Sequence, residues 1–290
     1  MTSVQRALLP QAFFLATETG ARFCLFHASQ HPSPQGRVLY LHPFAEELNS
    51  TRRVVAQQAR ALAQAGYDVL QIDLLGCGDS EGDFSDATWA AWLQDAHHAL
   101  QWLQERSHGA LWLWGMRSGA LLAAELASHL AEPTHLLFWQ PVASGQQQLQ
   151  QFLRLHAAGQ WLQAGQAHKS QPAQLLAQEQ SVHIAGYTVS PALAQGLACA
   201  QLHPPPNRPA GRLVWLELSA HPHTCFSPAA TAHLHAWRQA GWQVAAKITV
   251  GPAFWQVVGM DEAPTLVQAT LQALASSSPH AEAPCTTENM

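Results

Sequence analysis

Two glycines four residues apart, Gly115 and Gly119, follow a short apolar run and precede a stretch of small residues. This spacing is typical of a G-x-S-x-G turn, which presents a nucleophilic serine between a strand and a helix. Here the central position holds Arg117, and a guanidinium that stays protonated cannot attack an acyl carbon. Ser118 lies one residue later, where we expect its side chain to turn into the first turn of the helix.

The acid and the base that a serine nucleophile needs are missing from the loops that should carry them. Residues 219–224 contain no Asp or Glu, and Glu217, inside the strand predicted before them, is a poor substitute. Residues 251–256 contain no histidine but do contain Phe254 and Trp255. The sequence therefore predicts that Ser-His-Asp chemistry is not used. Phe254 and Trp255 either line an apolar ligand pocket or fill space in the core.

Arg117 needs a carboxylate partner, because a buried guanidinium at the positive end of a helix is costly when it is unpaired. Glu46 and Glu47 are adjacent in sequence, so they face different ways and one of them can enter the cleft. We expect one carboxylate within about 4 Å of the guanidinium, the usual range of an ion pair. Such a pair either holds two loops together or belongs to a site where Arg117 binds a ligand carboxylate or phosphate.

His42 and Asn49 lie on either side of the two glutamates. His42 either helps to hold an oxyanion or packs and hydrogen-bonds within its own loop. Asn49, or Ser50 after it, can cap a predicted helix, and Asn49 is also a candidate for ligand binding. The candidate catalytic residues are Arg117, Glu46, Glu47, Ser118 and His42. The candidate ligand-binding residues are Arg117, Glu46, Glu47, Asn49, Phe254 and Trp255.

Strand and helix patterns alternate from residue 37 to residue 140, which indicates a parallel sheet with right-handed crossovers. Two earlier strand patterns, at 12–17 and 22–27, predict an antiparallel hairpin. The alternation stops near residue 141 and resumes at residue 212. The predicted organisation is a core of residues 1–143 and 207–275, an inserted helical cap at 144–206 and a disordered tail at 276–290.

The composition excludes several classes of protein. The 290 residues carry a net charge of −5 without a basic cluster, so nucleic acid is not an expected partner. No apolar stretch approaches the ~20 residues that span a bilayer, and no secretory signal is visible, so we expect a cytoplasmic protein. The five cysteines lack C-x-x-C spacing and the seventeen histidines are dispersed. We therefore expect reduced thiols, no metal site and no cofactor, while the oligomeric state stays open.

Three loops together resemble those of the α/β-hydrolase superfamily. They are residues 40–44 (YLHPF), 73–82 (DLLGCGDSEG) and 114–120 (WGMRSGA), the last at the turn called the nucleophile elbow. Residues 44–53 (FAEELNSTRR), together with the elbow and residues 254–256 (FWQ), are similar to the type-2 exosortase-A-associated hydrolases. The resemblance implies a mostly parallel sheet with helices on both faces and an inserted helical cap. It also implies an association with exopolysaccharide and PEP-CTERM protein-sorting systems.

Three classes of function follow. The resemblance implies an ester or acyl hydrolase, linked to an exosortase or exopolysaccharide system, whose triad is not recognisable. The residues themselves favour a catalytically inactive homologue that binds a small anionic or acyl ligand. The third class is a scaffold for protein interactions.

Overall fold

The computed structural model describes residues 9–161, 172–206, 208–256 and 262–276. Its strands are β1 Gln11–Thr17, β2 Gly20–His27, β3 Gly36–Leu41, β4 Tyr67–Ile72, β5 Ala110–Met116, β6 Thr134–Trp139, β7 Val182–Ile184, β8 Tyr187–Val189, β9 Arg212–Ser219 and β10 Gln243–Val250. Its helices are α1 Glu46–Gln64, α2 Trp89–Arg106, α3 Gly119–His129, α4 Gly145–Trp161, α5 Pro172–Ala177, α6 Pro191–Cys199, α7 Pro228–Gln239 and α8 Pro264–Ala275. Residues 277–290 of the predicted tail lie outside the described residues.

Eight of the strands form one sheet in the order β1-β2-β4-β3-β5-β6-β9-β10. The first two pairings, β1 with β2 and β2 with β4, are antiparallel, and every later pairing is parallel. The predicted hairpin and the predicted parallel sheet are both confirmed. This is the α/β-hydrolase fold, and it places the carboxyl ends of the parallel strands along one edge of the sheet, where open α/β sheets bind ligands.

The sheet is covered on both faces because most positions of its central strands are apolar. In β3, Val38 and Tyr40 pack with residues of α1 and α8, whereas Leu39 and Leu41 pack with residues of α2, α3 and α7. Successive side chains of a strand point to opposite faces, so a continuous apolar run buries both. The core therefore forms two layers that hold the strand ends rigidly in place.

Helix α1 begins earlier than the sequence suggests. Its N-cap is Ala45, with φ 51°, and no side chain caps it. Asn49 and Ser50, the expected caps, lie inside the helix, so that expectation is wrong. Glu46 and Glu47 occupy the first turn instead, where their negative charge suits the positive end of the helix.

The segment between β6 and β9 contains α4, α5, the antiparallel β7-β8 hairpin and α6. This content agrees with the helices and the extended piece expected there. The division of the chain into a core and a cap at 144–206 stays a prediction.

Four of the cysteines lie in the described ranges, and they differ in state. Cys24 and Cys77 are buried free thiols and Cys199 is an exposed one. Cys225 is disulfide-bonded, so the expectation of reduced thiols is wrong at that position. Within the described ranges, no three His, Cys, Asp or Glu side chains are grouped as a metal site requires, and no helix is long and apolar enough to cross a membrane.

Candidate functional site

The turn between β5 and α3 holds Arg117 in a left-handed conformation, with φ 55°. Two glycines make this turn fit. A Cβ at Gly115 would overlap the backbone of Ala120, and a Cβ at Gly119 would overlap the carbonyl oxygen of Leu41. The amino end of α3 therefore packs directly against the strand ends, and the sharp turn between them is formed by residue 117.

Arg117 is buried, at 9% exposure, and its guanidinium is held from several sides. Its Nε donates to Glu47 Oε1 at 3.1 Å, and its Nη2 lies 3.0 Å from the same oxygen. Nη2 also donates to Gln148 Oε1 at 3.3 Å and to Gln151 Oε1 at 3.4 Å. The guanidinium carbon lies 5.5 Å from the ring centroid of Trp255. The expected ion pair is thus confirmed, with Glu47 as the partner.

The two glutamates are in electrostatically different positions. Burial raises the pKa of Glu47, and the Arg117 guanidinium opposes this rise without cancelling it. Burial also raises the pKa of the half-buried Glu46, and the nearby Glu47 carboxylate adds to the rise. Glu46 Oε2 is buried and has no hydrogen-bond partner among the described residues. Glu46 is therefore the carboxyl of this pair whose charge is least compensated.

A cavity of about 870 Å³ opens above this ion pair. Its wall comes from the carboxyl ends of the strands, the first turns of α1, helix α4 and the β7-β8 hairpin. The lining residues are Glu46, Glu47, Asn49, Ser50, Arg117, Gln140, Gln148, Gln151, Phe152, Ala185, Tyr187, Trp255 and Gln256. The cavity thus brings together four expected site residues of the first helix and the elbow, together with Trp255.

Two candidate catalytic residues lie elsewhere. Ser118 has helical backbone angles, φ −63° and ψ −24°, and is not part of the cavity wall. His42 Nδ1 lies 2.8 Å from the carbonyl oxygen of Pro43, and its Nε2 accepts from the Leu74 amide at 3.3 Å. Burial lowers the pKa of His42, so the ring is neutral, with Nδ1 as donor and Nε2 as acceptor. His42 is thus engaged within its loop.

Of the two aromatic residues of the last loop, one fills space in the core and the other lines the cavity. Phe254 is 1% exposed and packs in the core, whereas Trp255 lines the cavity. Glu217 does not line the cavity either, and its Oε1 accepts from Trp215 Nε1 at 2.7 Å. At the loop where a triad would have its histidine, this chain therefore places the indole of Trp255 on the cavity wall.

Sequence reasoning missed the amide side chains of the cavity. Gln148 and Gln151 lie three residues apart on α4, so they share one face of the helix, and this spacing is a signal that could have been used. Gln140 follows β6 with φ 44°, and its Oε1 accepts from the Leu218 amide at 2.8 Å. Tyr187 is brought in by the hairpin and accepts from Asn49 Nδ2 at 3.2 Å. Nothing in the sequence around Gln140 or Tyr187 indicates this placement.

Comparison with protein families gives a match over residues 32–188 to the family described as serine aminopeptidase, S33. The match covers more than half of the chain and includes the elbow. The chain belongs to the serine aminopeptidase S33 family. A comparison with curated protein sequences found no significant match.

Solved structures similar to this S33-family chain are α/β hydrolases. Est1E from Butyrivibrio proteoclasticus, with bound ferulic acid, is 13% identical, with a TM-score of 0.63 over 91% of this chain and 96% of that one. A soluble variant of monoglyceride lipase from Saccharomyces cerevisiae, in complex with a substrate analogue, is 14% identical, with a TM-score of 0.59 over 93% and 94%. An α/β serine hydrolase homologue from Coxiella burnetii is 14% identical, with a TM-score of 0.54 over 92% and 96%. At these identities the likeness establishes the fold.

Proposed function

We propose that this S33-family protein binds a small ligand in the cavity above Arg117 and does not hydrolyse esters through a Ser-His-Asp triad. The observation that carries the proposal is the buried ion pair between Arg117 and Glu47 at the nucleophile elbow. A positively charged side chain fills the position from which a nucleophile would attack, and its partner keeps it there.

The neighbouring groups do not replace the missing nucleophile and base. Ser118 lies outside the cavity wall, at the start of α3. The buried His42 has both ring nitrogens engaged within its own region of backbone. In a triad the nucleophile is hydrogen-bonded to the base, and the base is hydrogen-bonded to the acid. Ser118 and His42 are not linked in this way.

The cavity itself supports a binding role. Its volume of about 870 Å³ lies within the ~300–1,000 Å³ typical of small-molecule sites. It combines the rings of Phe152, Tyr187 and Trp255 with convergent polar groups that can fix the orientation of a ligand. It also lies at the edge of the sheet where ligands of open α/β folds bind.

A second candidate is an ester or acyl hydrolase that works without a triad. The specific observation in its favour is Glu46, a carboxyl with a raised pKa on the wall of the cavity. Such a carboxyl can act as a general acid or base when it lies within hydrogen-bond reach of a substrate. This candidate predicts ester turnover that is lost in Glu46→Gln.

A serine-reactive fluorophosphonate probe tests the proposal, with a triad-bearing esterase of the same fold as positive control. We expect no stoichiometric labelling of this protein and no ester turnover above the buffer rate. Labelling that disappears in Ser118→Ala would contradict the proposal. Turnover without labelling, lost in Glu46→Gln, would favour the second candidate instead.

We also propose that the protein belongs to the exosortase-A-associated branch and acts in the cytoplasm. The support is the sequence similarity of residues 44–53, 114–120 and 254–256 to the type-2 members of that branch. Deleting the gene should then alter exopolysaccharide secretion or the surface display of PEP-CTERM proteins. Unchanged secretion and display would contradict this assignment.

A further inference from the structure

Most of the charge of Arg117 is already engaged within the protein. Its Nε and Nη2 both contact Glu47 Oε1, at 3.1 and 3.0 Å, and Nη2 is further occupied by two glutamine oxygens. Glu46 adds a second carboxylate to the wall, so the lining holds two acidic groups and one basic group. Of the guanidinium nitrogens only Nη1 makes no hydrogen bond to the described residues, and an anion that reaches it meets the opposing charge of the Glu46 and Glu47 carboxylates.

Three buried polar atoms of lining residues have no hydrogen-bond partner in the part of the chain that the structure describes: Glu47 Oε2, whose carboxylate is paired with Arg117, and two others whose characters are opposite. Glu46 Oε2 is an acceptor, and Trp255 Nε1 is a donor on a side chain only 5% exposed. A buried polar atom without a partner is costly, so a ligand that pairs with both atoms gains affinity. An ammonium group can pair only with the carboxylate, and a ligand carboxylate only with the indole. A hydroxyl group both donates and accepts, so it suits both.

The rest of the polar wall consists largely of groups that also donate and accept. Five amide side chains line the cavity: Asn49, Gln140, Gln148, Gln151 and Gln256. The oxygens of Gln148 and Gln151 accept from Arg117, which leaves their NH₂ groups as donors. The Gln148 amide also interacts with the Glu47 carboxylate, so the NH₂ group of Gln151 is the donor more open to a ligand. The rings of Trp255, Tyr187 and Phe152 add apolar surface, on which the C–H face of a sugar ring can pack.

We infer that the cavity binds a neutral, polyhydroxylated ligand of the saccharide class. The inference rests on the proposed ligand-binding function and specifies its ligand. Ring hydroxyls pair with the unpartnered acceptor and donor, the amides complete the hydrogen bonds, and the aromatic rings contact the apolar face. A volume of about 870 Å³ has room for more than one sugar ring. The anionic or acyl ligand expected from the sequence stays a prediction, and the two classes give different results below.

The experiment titrates the full chain with a panel of neutral mono- and disaccharides at millimolar concentration, by calorimetry and thermal shift. The best neutral ligand is then compared with its own amino and uronic acid derivatives, which share its ring and differ in one charged group. We expect the neutral sugar to bind at least about tenfold more tightly than the uronic acid, a difference of about 1.4 kcal/mol. The amino derivative should lose the contact to the indole and bind less tightly than the neutral sugar.

Two variants test the assigned atoms. Trp255→Phe keeps an aromatic ring and removes the Nε1 donor, and should weaken binding of the neutral sugar about three- to tenfold. Glu46→Gln keeps the shape and removes the charged acceptor, and should weaken binding about tenfold or more. Glu105→Gln is the matched control, because this glutamate is exposed on α2, outside the cavity, and should leave affinity unchanged.

Each other outcome overturns the inference. Tighter binding of the uronic acid than of the neutral sugar would show an anion site. Tighter binding of the amino sugar would show a cation site. Octanoate binding in the absence of any saccharide binding would replace the saccharide class by an acyl ligand, while the proposed function would stand. Absence of binding by saccharides and octanoate alike would contradict the inference and the proposed function together.

Discussion

Replacing Arg117 by methionine tests the role of the ion pair in stability. The variant keeps an unbranched apolar stem but leaves the Glu47 carboxylate buried, at 9% side-chain exposure, without its cation. Removing one partner of a buried pair typically costs about 3–5 kcal/mol, because the other charge is left uncompensated. The free energy of unfolding of a typical domain is about 5–15 kcal/mol, so we expect a variant that loses much of its stability but still folds.

The assay is urea denaturation followed by circular dichroism and tryptophan fluorescence, at neutral and at mildly acidic pH. Burial already raises the pKa of Glu47 in the parent, and removal of Arg117 raises it further. A carboxyl whose pKa is raised by folding destabilises the folded state above that pKa and costs less once it is protonated. The deficit of Arg117→Met should therefore be largest at neutral pH and should shrink as the pH falls through the raised pKa.

Two further variants complete the test. Arg106→Met is the control, because its partner Glu105 and the arginine itself are exposed, and a surface pair contributes about 0–1 kcal/mol. The double variant Arg117→Met/Glu47→Gln should regain part of the loss, with a coupling energy of about 1–3 kcal/mol. If the free energy of unfolding of Arg117→Met lies within about 1 kcal/mol of the parent value at neutral pH, or if its deficit does not depend on pH, the ion pair does not stabilise the fold as described.

Three other outcomes are expected. Ser118→Ala should leave any measurable ester hydrolysis within a few-fold of the parent, because loss of a true nucleophile costs several orders of magnitude; a drop of that size with an intact fold would show that Ser118 reacts. Limited proteolysis read by mass spectrometry should cut first within 144–206 or in the tail, and first cuts within 37–140 would contradict the predicted cap. Arg22→Met should lower the free energy of unfolding by about 3–5 kcal/mol, because Asp95 lies 2.8 Å from Arg22 with both side chains almost fully buried; a loss below about 1 kcal/mol in urea titration would show that the pair is dispensable.

Much of the fold could be predicted because its strands and helices carry strong local patterns. The apolar runs of β3 and β5 and the alternation around them identify buried parallel strands without any knowledge of tertiary contacts. The start of α1 could not be predicted, because Ala45 offers no capping side chain and alanine rarely adopts the positive φ of 51° that it has there. Asn49 and Ser50 have better capping side chains but lie about one turn later, so the sequence predicts a helix start that is too late.

The site was predictable only where a motif fixes its geometry. The glycine spacing of the elbow identifies Arg117, and electrostatics then requires a carboxylate near it, which leads to Glu47. The glutamines of α4 could not be predicted in the same way, because a neutral amide has no charge that requires an opposite charge nearby. Phe254 and Trp255 are adjacent and alike in polarity, and only packing determines which of them faces the cavity.

The left-handed turn at Arg117 persists around a side chain that cannot be a nucleophile. Its shape is fixed by close contacts of Gly115 and Gly119 with neighbouring backbone, and not by what residue 117 does. The conformation of the turn between β5 and α3 therefore does not depend on whether residue 117 is a nucleophile. A protein built this way can exchange the group displayed at 117 while its helices, sheet and cavity stay in place, so chemistry can be lost or regained without rebuilding the architecture.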